Sequence, residues 1–242
     1  MSAQLPLFDR GPQAPEFGVR ASHRARRLSV RVYPGGRVEV TVPAGTGAKS
    51  VQRFVERHRA WIDARVQEFR SQPTPAEAPL PASAWLQAIG ESWEILYVKR
   101  ARAGFRTPFA GRLEIRGDPL DVGRARVALR AWLLAQARRA LPDWLERLAR
   151  EHHFIYRQVQ LRRQRTRWGS CSRDGTISLN GCLLFQPAPV VQYLLIHELC
   201  HTRQLNHSAR FWKLVAAHEP EWRALDRELT HGWRHVPAWV HA

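Results

Sequence analysis

The sequence predicts an α+β fold, on three observations. Alternating apolar runs flank Pro34-Gly35-Gly36 near the start, and an apolar period of three to four residues runs from Val51 to Phe69. A long helical stretch, Asp121 to about His153, then precedes further strands and helices. Segregated strands and helices of this kind build α+β domains rather than a repeating βαβ sheet.

Residues 1–18 are punctuated by Pro and Gly without periodicity and are expected to form a flexible tail. Leu28 to Tyr33 and Arg37 to Val42 alternate around the Pro-Gly-Gly turn, which predicts a β-hairpin. Ser50 stands where an N-cap belongs. Val51, Phe54, Val55, His58, Ile62, Val66 and Phe69 then share one face of an amphipathic helix. Ser71 to Ser83 is a Pro-rich connector. "SWEILYVKRA" and "GRLEIRG" read as strands, closed by Asp118-Pro119. The helix from Asp121 carries Leu129, Trp132, Leu133 and Leu141 on one side, and Pro142 is expected to break it. A strand from Ile155 to about Arg163, a turn at Arg173-Asp174-Gly175 and a strand from Thr176 to Leu179 follow. Pro187 and Pro189 then open another helix. This divides the chain into a tail (1–18), a β-rich region with one amphipathic helix (19–118) and a region carrying the chemistry (119–242).

With 242 residues, 44% of them hydrophobic, and ten tryptophans, the chain can bury a substantial core. The N-terminus lacks the basic and apolar blocks of a signal peptide, and no apolar run reaches the roughly 18–20 residues of a membrane span. Cys171, Cys182 and Cys200 are odd in number and lack CxxC spacing, as suits reduced thiols. The expectation is a cytoplasmic protein with no membrane partner. Its formal charge of +17 permits contact with DNA or another polyanion through an Arg-rich surface. Only three of the positive residues are lysines (Lys49, Lys99 and Lys213), and such arginine bias also describes an ordinary solvated surface. Oligomeric state is not legible in the sequence.

The chemistry concentrates in "YLLIHELCHTRQLNHSARFW", from Tyr193 to Trp212. His197 and His201, four residues apart, fall on one helical face, where two imidazoles can share one zinc and Glu198 can reach a water on it. "TRQLN" must end the helix and turn the chain, and Asn206 is a residue that tolerates a left-handed conformation there. His207 then supplies a third ligand and Ser208 caps the next helix. Three histidines leave a fourth position for water, the pattern of a catalytic site binding one Zn2+ per chain. The competing reading is three histidines that merely pack or face water.

The segment from Arg167 to Trp212, "RWGSCSRDGTISLNGCLLFQPAPVVQYLLIHELCHTRQLNHSARFW", closely resembles the signature of the YgjP-like metallopeptidase family. That family consists of zincins related to the WLM and SprT-like proteases. The resemblance implies a zincin-like catalytic half, in which an HExxH active-site helix packs on a small sheet. A half rich in β-hairpin and helix precedes it. It further implies His197, His201 and His207 as zinc ligands, Glu198 as the catalytic glutamate and a polypeptide substrate. Through these relatives it also admits a protease acting on DNA-bound proteins. Outside the protease class stands a basic nucleic-acid-binding protein with a structural zinc.

Around this core, Arg163, Arg165 and Arg167 would share one face of a strand, ahead of a corner in which Trp168 packs and Gly169 turns. Cys171 is a possible thiolate ligand of the zinc, though a structural cysteine is the commoner case. Tyr193, His218, His231 and His235 are candidates, by residue type alone, for the donor that stabilises an oxyanion.

Overall fold

The structure is a computed structural model describing residues 17–23, 25–33, 36–70, 78–162, 164 and 167–241. The described residues contain ten strands and six α-helices in small mixed sheets, an α+β architecture. The expected tail up to residue 16, the Pro34-Gly35 part of the hairpin turn, residues 71–77 of the connector, and Arg163 and Arg165 lie outside the described residues. The chain divides into two compact units, one up to Ala78 together with 241–242, the other Pro79–Val240.

In the first unit β3 (Val38–Pro43) is central, parallel to β1 (Phe17–Ser22) and antiparallel to β2 (Ser29–Val32). The β2–β3 hairpin follows the alternation of the sequence: Val32, Val38, Val40 and Val42 are buried. β1 was not expected, because its residues are mostly exposed and carry little period-2 signal. The amphipathic segment forms two helices, α1 (Ala48–Arg57) and α2 (Arg59–Arg70). They meet at His58, whose φ/ψ of −103°/8° leaves the helical basin and whose Nδ1 bonds the Phe54 carbonyl at 2.8 Å. Ser50 lies inside α1 rather than at its cap, a position taken by Gly47 without any side-chain bond.

The second unit has a sheet ordered β4-β5-β7-β6, from β4 (Ser83–Leu86), β5 (Glu91–Lys99), β6 (Gly104–Phe109) and β7 (Arg112–Gly117). Helix α3 (Val122–Glu151) packs on it, with Trp132 edge-on to Trp93 at 5.5 Å. Asp121 caps α3 by accepting from the Arg124 N–H. Pro142 does not break α3, contrary to expectation. Leu141 and Leu145 on either side of it are fully buried, and tertiary packing of that order outweighs the ~3 kcal/mol intrinsic penalty of an interior proline.

A third sheet, β8 (Gln158–Arg162), β9 (Gly169–Cys171) and β10 (Thr176–Asn180), has β10 in the middle, parallel to β8 and antiparallel to β9. β8 starts later than expected because Ile155 is 87% exposed and has no core to enter. The expected turn is present, with Gly175 at φ 77°. Helix α4 (Ala188–Cys200) starts after Pro187 and packs against α3, β9, α5 (Ala209–His218) and α6 (Trp222–Thr230). Among the described residues no helix is long and apolar enough to cross a membrane.

Candidate metal centre

Helix α4 is apolar nearly all round, and Val190, Val191, Leu195, Ile196 and Leu199 are fully buried. Its one polar stripe therefore has a fixed direction. His197 and His201 point from it to the same place, with ring centroids 4.9 Å apart. The chain leaves the helix at His201 through turns closed by Thr202 N–H to Leu199 O and Arg203 N–H to Cys200 O. Asn206 takes no left-handed conformation; among the described residues His153 is the non-glycine residue with positive φ. The hydrogen-bonded turns at residues 202–204 reverse the chain without one. Ser208 caps α5 as expected, accepting from the Phe211 N–H. Between these two constraints His207 swings back over α4.

The Nε2 of His207 lies 3.1 Å from that of His197 and 3.2 Å from that of His201. One nitrogen from each ring falls within 4.8 Å of the others. Ligand nitrogens of a tetrahedral site with 2.0–2.1 Å bonds stand about 3.3 Å apart, so these three residues fit a metal such as zinc. His201 is set for it. Its Nδ1–H donates to the Gln204 carbonyl at 2.9 Å, leaving the Nε2 lone pair facing inward. Phe211 stacks on His201 at 4.3 Å, and Trp212 lies parallel to the exposed His207 ring at 5.5 Å and on Trp222 at 4.4 Å. Tyr193, Leu194, Leu195, Leu199 and Phe211 are all buried, as expected of an apolar wall. Burial, reinforced by the two neighbouring imidazoles, holds the His197 imidazolium down to about 3 and so keeps the ring neutral.

Glu198 is 4% exposed, and its Oε2 has no hydrogen-bond partner among the described residues. Burial pushes its carboxyl up to about 8, against the opposing charge of Arg167. Gly169 of β9 is present to make room for it. A Cβ there would stand 2.6 Å from Glu198 Oε1, and the backbone is extended rather than turned. The expectation of a glycine corner gives way to one of close approach.

Trp168 does pack as expected. It stacks on Trp233 at 4.2 Å and donates from Nε1 to the Leu229 carbonyl. Gln186, before α4, donates to the Gly232 carbonyl at 3.0 Å. The C-terminal segment thereby braces both the strand beside Glu198 and the start of the histidine helix.

Other expected residues are placed elsewhere or engaged otherwise. The Tyr193 hydroxyl contacts His197 Nδ1 and Asp226, and burial with that carboxylate pushes it well above the ordinary tyrosine range. His218 pairs with His152 at 3.2 Å. Burial, Glu198 and Asp174 push the Cys171 thiol up to about 11 in the metal-free chain, and Cys171 is not one of the three residues whose ligand atoms converge. Of the basic stripe, Arg167 is exposed and acts on Glu198 through its charge. Asp226, Trp212, Gln186 and Gly232 were missed, and Gly169 was expected only as a turn. A lone glycine or aspartate far along the chain carries no local pattern that would reveal its partner.

Residues 26–232 match the model of the YgjP-like metallopeptidase domain, well over half of the chain. Two solved structures are similar over part of the chain. One is the crystal structure of the metallopeptidase zymogen of Pyrococcus abyssi abylysin, with 29% identity over 36% of this chain and 90% of that one, and a TM-score of 0.33. The other is that of the zymogen of Methanocaldococcus jannaschii jannalysin, with 16% identity, 36% and 91% coverage, and a TM-score of 0.33. No curated protein matches. The chain is a metallopeptidase, a metal-dependent hydrolase of polypeptides. More narrowly, it belongs to the YgjP-like family.

Proposed function

We propose that the protein is a zinc-dependent, zincin-like peptidase in which His197, His201 and His207 hold one Zn2+ per chain and Glu198 is the general base. The reading rests on the convergence of three ring nitrogens, together with a buried carboxylate next to His197 on the same helix, one of whose oxygens has no hydrogen-bond partner among the described residues. Helix α4, carrying two of the histidines and Glu198, lies against β9 of a small sheet, as a zincin reading requires. A zinc bound there supplies an acidified water and polarises the scissile carbonyl. Beside that cation the Glu198 carboxyl, raised in the metal-free chain, would be ionised; it would take the proton of the water as the C–O bond forms and pass it to the departing amine nitrogen as the C–N bond breaks. Gly169 keeps the carboxylate in position for both transfers, and the apolar wall around α4 excludes bulk water. His197 and His201 stay neutral, as ligands must.

Elemental analysis and turnover of an unfolded protein substrate test this together. Wild type should carry about one zinc per chain and His207→Ala should lose it. Glu198→Gln should keep the zinc while turnover falls about 10²–10⁴-fold. Full turnover in Glu198→Gln would overturn the general-base role. A wild type that takes up no zinc on reconstitution would overturn the site itself. A chain in which zinc merely staples a nucleic-acid-binding fold would hold the metal and cut nothing in either form.

A further inference from the structure

We propose that Asp226 is a positioning residue for the metal site, acting on His197 through the Tyr193 hydroxyl. The inference rests on the three-histidine site proposed above. Asp226 lies on α6, thirty-three residues along the chain from Tyr193, which is fully buried on α4 one helical turn before His197. The Tyr193 hydroxyl stands 2.7 Å from Asp226 Oδ1 and 3.3 Å from His197 Nδ1.

A phenol has one proton to give, and an ionised carboxylate only accepts. The hydroxyl proton therefore goes to Asp226, and what the tyrosine oxygen offers His197 is a lone pair. His197 must meet it with Nδ1–H, which leaves Nε2 bare. That bare nitrogen is the atom 3.1 Å from His207 Nε2. His201 reaches the same tautomer by a shorter route, its Nδ1–H donating to the Gln204 carbonyl. Two bare nitrogens then face a third ring, which can give a proton to only one of them. A cation satisfies all three; hydrogen bonding does not.

The carboxylate also has an electronic effect. Its negative charge, relayed through the phenol, makes His197 a better donor to a metal, as a carboxylate bonded directly to a ligand histidine does. In this molecule the tyrosine is interposed, so the charge arrives from a separate helix. The same contacts would also serve if Asp226 and Tyr193 did no more than fasten α6 to α4, and the test separates the two roles.

Zinc affinity by chelator competition is measured for wild type, H197A, Y193F, D226A, D226N and the Y193F/D226A double variant. The melting temperature of each metal-free form is recorded alongside. In the metal-free proteins, 15N chemical shifts report the His197 tautomer. Y193F and D226A should each bind zinc about 10–100-fold more weakly, and the double variant no more weakly than Y193F alone, because both break one relay. D226N, which still accepts the hydroxyl proton but lacks the charge, should fall between wild type and D226A. The His197 Nδ1–H tautomer should lose its dominance in Y193F. Wild-type zinc affinity in Y193F and D226A would overturn the relay while leaving the metal site standing. Losses that multiply in the double variant and follow the melting temperatures would reduce it to a fastening. If H197A binds zinc as wild type does, the metal-site reading falls and the relay with it.

Discussion

Gly169 and Glu198 share a space that holds one side chain. The carboxylate occupies the volume into which any Cβ at 169 would project, with the nearest oxygen 2.6 Å from that point. Gly169→Ala must therefore displace Glu198, a buried group with little room to relax. Turnover should fall by at least tenfold while zinc content stays at the wild-type level, since the three atoms nearest the added Cβ all belong to Glu198. Elemental analysis beside a proteolysis assay checks it, and an active Gly169→Ala would show that Glu198 is free to move. The four candidate residues were legible in the sequence because the spacing of His197, Glu198 and His201 on a helix, and of His207 just after it, is local information. Their supports were not. Asp226, Gly169 and Gly232 act on partners distant in sequence, and nothing beside them in the chain announces the meeting.

Helix α3 runs through Pro142 for 30 residues, held by an apolar face that includes Leu129, Leu133, Leu141 and Leu145. The proline removes one N–H from the helical ladder. Pro142→Ala should stabilise the protein by about 1–2 kcal/mol, the ~3 kcal/mol propensity gain being reduced by a more flexible unfolded chain. Urea unfolding measures the change, and a loss of stability would mean that the local geometry at Pro142 is what the surrounding core requires. The same contest between local rule and packing sorts what was readable among the elements. The β2–β3 hairpin, α3, α4 and α5 with its Ser208 cap announce themselves by period and cap. β1, β4, β6 and β9 do not, since their identity comes from the neighbour they pair with. The division of one expected helix into α1 and α2 turns on the backbone at His58, which no periodicity registers.

At the scale of the molecule, the buried Glu198 and His197 set opposing pH dependences on the metal-free fold. Glu198 rises from 4.5 to about 8, so the folded state holds a proton that the unfolded state has lost. Its contribution is complete below 4.5 and disappears as pH rises toward 8. His197 falls from 6.5 to about 3, so its contribution is present above 6.5 and disappears as pH drops toward 3. The two slopes cancel each other between about 4.5 and 6.5, where the lowered His201, His218 and His235 add a loss toward acid, and above 6.5 the Glu198 decline stands alone. Melting of the metal-free protein should therefore decrease from pH 6.5 to 8 in wild type, and much less in Glu198→Gln. Equal declines would place the alkaline loss elsewhere. The connection between His201 and His207 bears on stability in another way. The two rings are only six residues apart along the chain, and closing so short a loop takes little conformational entropy. A metal chelated there, as proposed, would close a ring that the turns at 202–204 and the Ser208 cap have already nearly closed. It would be a clasp on a shut bracelet, and the metal-free chain would keep the shape needed to take one up.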